Sequence, residues 1–162
     1  MTMKKAQVQS EVFLYILAAI IFSLIVLFGY KSIQTLITHA NDVELRNFEI
    51  GLSNEVKNIA TNLHTVRKKP VGIPSGYKEV CFVSSDWIGR SDFTLADHPV
   101  IESSVKNGVN KNTFLFPPGS MSFSVGTIEV DGGALCMPVT SGAISLRLEG
   151  MGNRTKVSKW SE

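Results

Sequence analysis

Glu11 stands directly before a run of residues, 12–30, that carries no charge. A carboxylate in a membrane helix costs about 2.5–3.5 kcal/mol unless a cation pairs with it. The residues just before it are two bases, a small residue and a glutamine: Lys4, Lys5, Ala6 and Gln7. A simple membrane anchor has no use for such a carboxylate, so its position indicates a role in pairing with another group.

The uncharged run is long enough to cross a bilayer as a helix. At ~1.5 Å per residue it spans about 28 Å, close to the ~30 Å hydrocarbon core. A cleavable secretory signal has a shorter apolar core of roughly 7–15 residues followed by a small-x-small site, which does not follow this run. Because Lys4 and Lys5 precede the run and Lys31 alone closely follows it, the positive-inside rule puts the N-terminus in the cytoplasm and residues 31–162 outside.

Apolar residues continue beyond the run at three- and four-residue steps, the pattern of an amphipathic helix. The pattern predicts one nearly continuous helix from about Gln9 to Arg67, in which residues 7–30 form the membrane part and residues 31–67 an amphipathic stem. Prolines and glycines in residues 68–76 predict a linker that stops this helix. No single small domain needs so long a helix, so its first half must meet something else.

Residues 77–162, called the head below, change to the period of two that is typical of strands. Short turns between these segments predict a small antiparallel β-sheet head behind a long helix, an α+β fold. Strands are expected within residues 77–83, 114–116, 121–130, 134–139, 143–148 and 156–160. A short helix is expected from Pro99 to about Asn107. A change of phase at Gly126 and Thr127 predicts a bulge, and hairpin turns are expected at residues 131–133, 140–142 and 149–153.

Cys81 and Cys136 both fall in the exported part of the chain, where disulfides persist. A bond between them would stabilise the fold by about 4 kcal/mol in the chain-entropy model. The alternative is two unpaired buried thiols. Asn153 begins the only Asn-x-Ser/Thr triplet of the sequence and is therefore a candidate N-glycosylation site.

Residue patterns of an enzyme or of a metal site are not found in the sequence. The three histidines have no second histidine or cysteine at metal-ligand spacing: His39, His64 and His98. Asp97 and His98 precede a helix that contains Ser103 and Ser104, and helix capping explains this arrangement more simply than nucleophilic catalysis. We predict no catalytic residue, no metal and no cofactor.

The charge balance argues against binding to nucleic acid. The formal net charge is +2, from 16 basic and 14 acidic residues. Two of the bases are Lys4 and Lys5, and the only basic cluster elsewhere is short, residues 67–69. Binding to phosphates needs clustered lysines and arginines, so nucleic acid is not an expected partner.

The start of the chain resembles the class III signal peptide of type IV pilin-like proteins, most closely the archaeal ones. The resemblance rests on Lys4, Lys5, Ala6 and Gln7, with Glu11 as the fifth residue counted from the glutamine and an apolar helix beyond. It covers about 30 residues and extends to the design of a long helix followed by a β-rich head. Archaeal flagellins share such a leader but usually lack the glutamate, so Glu11 favours a pilin.

The resemblance implies that a prepilin peptidase cuts between Ala6 and Gln7 and removes a leader, residues 1–6. Glu11 of one subunit would then pair with the new α-amino group of Gln7 on a neighbour. That pair would set the axial register of a filament, as one buried polar group fixes the register of a coiled coil.

The expected partners are therefore other copies of the chain, the prepilin peptidase, the pilus assembly machinery and the membrane. We expect a single-pass membrane precursor with a cytoplasmic N-terminus and an extracellular head. After cleavage it would join a cell-surface filament as a major subunit, a minor subunit or a pseudopilin. The alternative is a monomeric, signal-anchored membrane protein whose β head binds a ligand or partner outside the cell.

Overall fold

The computed structural model describes residues 4–117 and 121–160, apart from the side chains of residues 4–11, 38, 39 and 41. The chain forms two units, Met1–Asp42 and Val43–Glu162, and helix α1 contributes to both. A single turn of 3-10 helix, Ser85–Trp87, follows β2. The helices and strands are, in chain order, α1 (Lys4–Ala60), β1 (Val66–Gly72), β2 (Glu79–Val83), α2 (Pro99–Lys106), β3 (Thr113–Phe116), β4 (Met121–Phe123), β5 (Ile128–Val130), β6 (Ala134–Pro138), β7 (Ala143–Gly150) and β8 (Thr155–Lys159).

The first unit is helical throughout its described residues, 4–42. No proline interrupts this stretch, and its apolar residues are ones that a helix accepts in a bilayer. Within the described part of the chain, one helix is long and apolar enough to cross a membrane, and it lies near the N-terminus.

The second unit contains two four-stranded sheets in place of the single antiparallel sheet that we expected. Sheet 1 has the strand order β1-β7-β8-β5, and sheet 2 has the order β4-β3-β2-β6. Neighbouring strands are antiparallel except β5 and β8, which are parallel, with Ile128 opposite Thr155 and Val130 opposite Val157. The unit is therefore a mixed α+β domain, and the prediction of an entirely antiparallel head is wrong at this one pair.

Helix α1 ends at Ala60, so the predicted continuation to Arg67 is wrong. Its last carbonyl groups receive donors from the turn between β7 and β8 and from β8 itself. The Gly152 amide donates to the Ala60 carbonyl at 2.8 Å, and Thr155 Oγ1 donates to the Val56 carbonyl at 2.6 Å. Donors from elsewhere in the fold thus satisfy the last carbonyl groups of α1, which further turns of the helix would otherwise have satisfied.

Strand β1 occupies the start of the predicted linker, residues 68–76, so that prediction is also wrong there. β1 pairs with β7 and lies at the edge of sheet 1. An edge strand tolerates Pro70, which has no N–H to donate. Lys69 lies on the same strand and pairs with Glu55 of α1 at 3.1 Å. The short basic cluster is therefore part of an edge strand and not the last turn of a helix.

Two hydrophobic cores hold the second unit together. The main core forms where the last turns of α1 meet both sheets, and the α1 residues in it are Phe48, Leu52, Val56 and Ile59. Strand β7 contributes the three inward-facing side chains that its alternation predicted: Ile144, Leu146 and Leu148. The opposite face of sheet 2 packs on α2 in a second core, which contains Cys81, Val83, Phe93, Ile101, Val105 and Phe114.

The segment from β4 to β5 passes from sheet 2 to sheet 1. The change of phase at Gly126 is therefore a switch between sheets and not the bulge that we predicted, and Gly126 has a φ of 105°. The turns at residues 131–133 and 140–142 likewise join strands of different sheets. The turn at residues 149–153 joins β7 and β8 as an antiparallel hairpin, which confirms that prediction.

Asn112 fixes the segment that crosses between the sheets. Its side chain is 1% exposed. Asn112 Nδ2 donates to the Gly126 carbonyl at 2.6 Å, and Asn112 Oδ1 accepts from the Val125 amide at 3.0 Å. One amide side chain therefore satisfies two backbone groups of a segment that belongs to neither sheet.

Replacing Asn112 with leucine is expected to lower the free energy of unfolding by about 3 kcal/mol, because the buried Val125 amide and the part-buried Gly126 carbonyl both lose their partner. Chemical denaturation of the full chain in detergent, followed by tryptophan fluorescence, measures this change. Thr113→Val is the matched control at the next position: among the described residues, Thr113 Oγ1 is buried without a hydrogen-bond partner. The control should be neutral or slightly stabilising. Equal losses in the two variants would contradict the role of Asn112.

Candidate functional site

The residues of the predicted cleavage and assembly site lie at the start of α1. They are Lys4, Lys5, Ala6, Gln7 and Glu11, and their backbone is helical. Their side chains lie outside the described part of the structure, so the cut after Ala6 and the pairing of Glu11 stay predictions.

The part of α1 that follows presents an apolar surface. Between residues 12 and 37 the large apolar side chains keep from 46% of their surface exposed at Leu17 to 70% at Tyr15 and Phe22. Nothing within the described part of the first unit covers them. Such a surface needs lipid, other helices or both.

The segment that directly follows α1 is joined to the last residue of β7 through backbone groups. The Gly150 amide donates to the Thr65 carbonyl at 3.0 Å, and the His64 amide donates to the Gly150 carbonyl at 2.9 Å. A Cβ at Gly150 would overlap with the carbonyl oxygens of Ile59 and Asn62. The absence of a side chain at this glycine therefore lets the sheet approach the helix end.

The two cysteines form a disulfide in the head, as expected from the sequence. Cys81 on β2 lies directly opposite Cys136 on β6, with their Cα atoms 4.0 Å apart. Cys81 is fully buried in the second core, and Cys136 is half-buried beside it.

Glu79 and His98 lie beside this disulfide, a grouping that was not predicted from the sequence. One ligand atom from each of these two residues and the two sulfur atoms all lie within 4.8 Å of one another. His98 Nε2 stands 3.5 Å from Glu79 Oε1, and the imidazole ring packs on Phe116 with 5.1 Å between ring centroids. The only signal along the sequence is that Glu79 and Cys81 are two residues apart on a strand, so that their side chains share one face.

Helix α2 and the segment before it hold His98 in position. His98 occupies the position just before the helix, where we expected Asp97 or His98, but its side chain makes no capping hydrogen bond. Glu102 Oε2 accepts from the Leu95 amide at 3.0 Å, and Lys106 Nζ donates to Glu102 Oε1 at 2.6 Å. The bond from Lys106, followed by the one from Leu95, lowers the pKa of Glu102. The charged carboxylate of Glu102 therefore links the segment before α2 to the helix itself.

The histidine and serine residues considered for nucleophilic catalysis do not form a described pair. Asn107 Nδ2 donates to the Ser103 carbonyl at 2.8 Å and contacts Ser103 Oγ at 3.4 Å, while His98 faces Glu79. One cavity of about 300 Å³ is lined by Met137, Pro138, Ile144, Lys159 and Trp160, among others. It brings a single charged group together with apolar and hydroxyl side chains, which is not a catalytic arrangement.

The candidate glycosylation site exposes its asparagine but buries its threonine. Asn153 is exposed in the turn between β7 and β8. Thr155, the third residue of the triplet, is fully buried and donates to Val56 of α1. The triplet is thus part of the junction between helix and sheet.

No protein-family model, no curated protein and no solved structure matches this chain. Its function is therefore inferred from its own residues and their arrangement.

Proposed function

We propose that this chain is the precursor of a pilin-like filament subunit. A prepilin peptidase cuts it between Ala6 and Gln7, and the subunit then assembles through the first part of α1. The N-terminus lies in the cytoplasm before assembly, and the head lies outside the cell.

The register of the N-terminal residues against an exposed apolar helix carries this proposal. Two lysines and a small residue precede Gln7, and Glu11 stands at the start of the uncharged run. The exposed side chains of residues 12–37 support it, because they form a surface on which other helices can pack. Lipid alone would satisfy that surface, but it would not satisfy the carboxylate.

The chemistry of assembly is an ion pair that exists only after cleavage. The new α-amino group of Gln7 is cationic, and the carboxylate of Glu11 on a neighbouring subunit is its partner. In an apolar surrounding an unpaired carboxylate costs about 2.5–3.5 kcal/mol. Helix packing and pairing therefore favour one axial offset between subunits, because other offsets leave the carboxylate unpaired.

Replacing Glu11 with alanine is expected to leave cleavage after Ala6 intact and to abolish or misalign the filaments. Loss of about 2.5 kcal/mol weakens each contact between subunits about 70-fold. Intact-mass spectrometry measures the cut, and electron microscopy of sheared surface material measures the filaments. Glu44→Ala is the matched control, since Glu44 is an exposed glutamate of the same helix beyond the apolar run. The control should assemble normally.

Three results would count against the proposal. Normal filaments from the Glu11 variant would exclude the pairing role. A native membrane-resident chain that still carries Lys4 and Lys5 would exclude the cleavage. A cleaved or uncleaved chain that is a discrete monomer in native membranes would favour the signal-anchored protein with a ligand-binding head.

A further inference from the structure

The cluster beside the disulfide combines the side chains that bind Zn²⁺ best. It contains two cysteines, a histidine and a glutamate: Cys81, Cys136, His98 and Glu79. Three different elements supply them, because β2 carries Glu79 and Cys81, β6 carries Cys136, and His98 directly precedes α2. Thiolate, imidazole and carboxylate are the usual ligands of tetrahedral zinc sites.

The fold holds these four groups on one face of sheet 2. Glu79 and Cys81 are two residues apart on β2, so their side chains point to the same face. Cys136 lies opposite Cys81, and Phe116 on β3 lies opposite Glu79. The His98 ring packs on Phe116 and so comes to rest above the same face.

We propose that these four residues form a Zn²⁺ site when the disulfide is reduced. A dithiol or phosphine reductant supplies two electrons to break the S–S bond, and each sulfur takes up a proton. Zn²⁺ then displaces those two protons and binds both thiolates, His98 Nε2 and a Glu79 oxygen. When the disulfide is intact, this described cluster keeps Glu79 and His98 as its two remaining ligands, fewer than the three or four protein ligands of zinc sites.

The distances suit this geometry. With Zn–S near 2.3 Å and Zn–N near 2.0–2.1 Å, neighbouring ligand atoms of a tetrahedron stand about 3.3–3.8 Å apart. His98 Nε2 and Glu79 Oε1 are already 3.5 Å apart. The remaining ligand atoms lie within 4.8 Å, so small side-chain rotations bring them to a shared ion once the sulfurs separate.

The surroundings of the cluster are open to solvent on one side and apolar on the other. The side chains of His98 and Glu79 are 16% and 33% exposed, so an ion can approach from their side. Below them Cys81 is fully buried among the apolar residues of the second core. Two thiolates and a carboxylate bring three negative charges to the ion. Their attraction to it is stronger beside these apolar residues, because the local dielectric constant is low there.

Titration of the full chain in detergent with Co²⁺ under anaerobic conditions tests the site. Co²⁺ replaces Zn²⁺ as a probe because tetrahedral thiolate coordination gives strong visible and near-ultraviolet absorption. The phosphine-reduced wild type should bind one Co²⁺ per chain with that spectrum, and Zn²⁺ should displace it. The oxidised wild type and Cys81→Ser/Cys136→Ser should give no such spectrum.

Two histidine variants separate a built site from chelation by thiols alone. His98→Asn keeps a residue that favours the start of a helix but removes the imidazole. It should weaken binding beyond the about 10–100-fold that loss of a supporting second-shell partner costs. His64→Asn makes the same change outside the cluster, at a residue with a φ of 61° that asparagine tolerates, and should leave the affinity unchanged.

Thermal unfolding with Zn²⁺ and a variant of Glu79 test the proposal further. Zn²⁺ should raise the thermal midpoint of the reduced wild type more than that of reduced His98→Asn, because an ion that binds the folded chain stabilises it. Glu79→Gln should also weaken Co²⁺ binding. Reduced wild type without the tetrahedral spectrum would overturn the proposal. Equal affinities of wild type, His98→Asn and Glu79→Gln would overturn it as well, because thiolates alone would then hold the ion.

Discussion

Replacing Gly150 with alanine is expected to lower the free energy of unfolding by at least about 3 kcal/mol, because overpacking and lost hydrogen bonds add. The new methyl group would occupy the space of the Ile59 and Asn62 carbonyl oxygens, which are backbone atoms and cannot rotate away. Relief of the overlap requires the end of α1 to move from sheet 1. That movement would break the bonds of Gly150 with Thr65 and His64.

Gly72→Ala is the matched control for this prediction. Gly72 also ends a strand of sheet 1, but a Cβ there would meet nothing within 4 Å. The control should be neutral or stabilise the chain by less than about 1 kcal/mol. Denaturant unfolding of both variants in detergent gives the comparison, and limited proteolysis near Ala60 reports whether the helix end has detached. A Gly150 variant as stable as the control would contradict the close approach of helix and sheet.

Loss of the disulfide is expected to destabilise the second unit by about 4 kcal/mol. The bond closes a separation of 55 residues, and a loop of that length removes roughly this much conformational entropy from the unfolded chain. Since folded domains have only about 5–15 kcal/mol of stability, the bond supplies a large share of it, and the reduced chain is expected to stay folded but with a smaller margin.

The double variant Cys81→Ala/Cys136→Ala measures this contribution by chemical denaturation in the presence of a metal chelator. A phosphine reductant should lower the stability of the wild type to a similar value. The same reductant should leave the double variant unchanged, which separates loss of the bond from a general effect of the reagent. A double variant within about 1 kcal/mol of the oxidised wild type would contradict the chain-entropy account.

Local residues were sufficient to predict those elements whose signals lie within them. Pro99 takes the first position of α2, as proline prefers, and Asn107 follows its last residue. Glycines in residues 149–153 predicted the hairpin between β7 and β8. The uncharged run similarly predicted a helix able to span a membrane.

Tertiary contacts decided what the sequence could not predict. The pattern of α1 continues through Leu63 and Val66, but hydrogen bonds from Gly152 and Thr155 favour an end at Ala60. The alternation of apolar and polar residues on either side of Gly126 fits a bulged strand as well as it fits two strands in different sheets. Asn112 settles this, and its contacts with Val125 and Gly126 are not visible in any local pattern.

The candidate zinc cluster illustrates the same limit. Glu79 lies on β2 with Cys81, and strand pairing brings Cys136 opposite that cysteine, but only the packing of α2 on sheet 2 brings His98 to the cluster. Rules based on spacing detect ligands that are neighbours along the chain, so they do not detect this cluster. The predicted assembly site has the opposite character, since all of its residues are local and its partner is another molecule.

The bond between Cys81 and Cys136 also makes residues 81–136 a covalent ring. The ring contains α2 and β3–β5, and its exposed residues include Arg90, Lys106 and Lys111, which trypsin-like proteases recognise. A cut at any of them would leave both new chain ends attached to one molecule. Strand β5 lies inside the ring and pairs with β8 outside it, so sheet 1 would also hold the nicked chain together. A single proteolytic event in this region would therefore release no fragment under oxidising conditions.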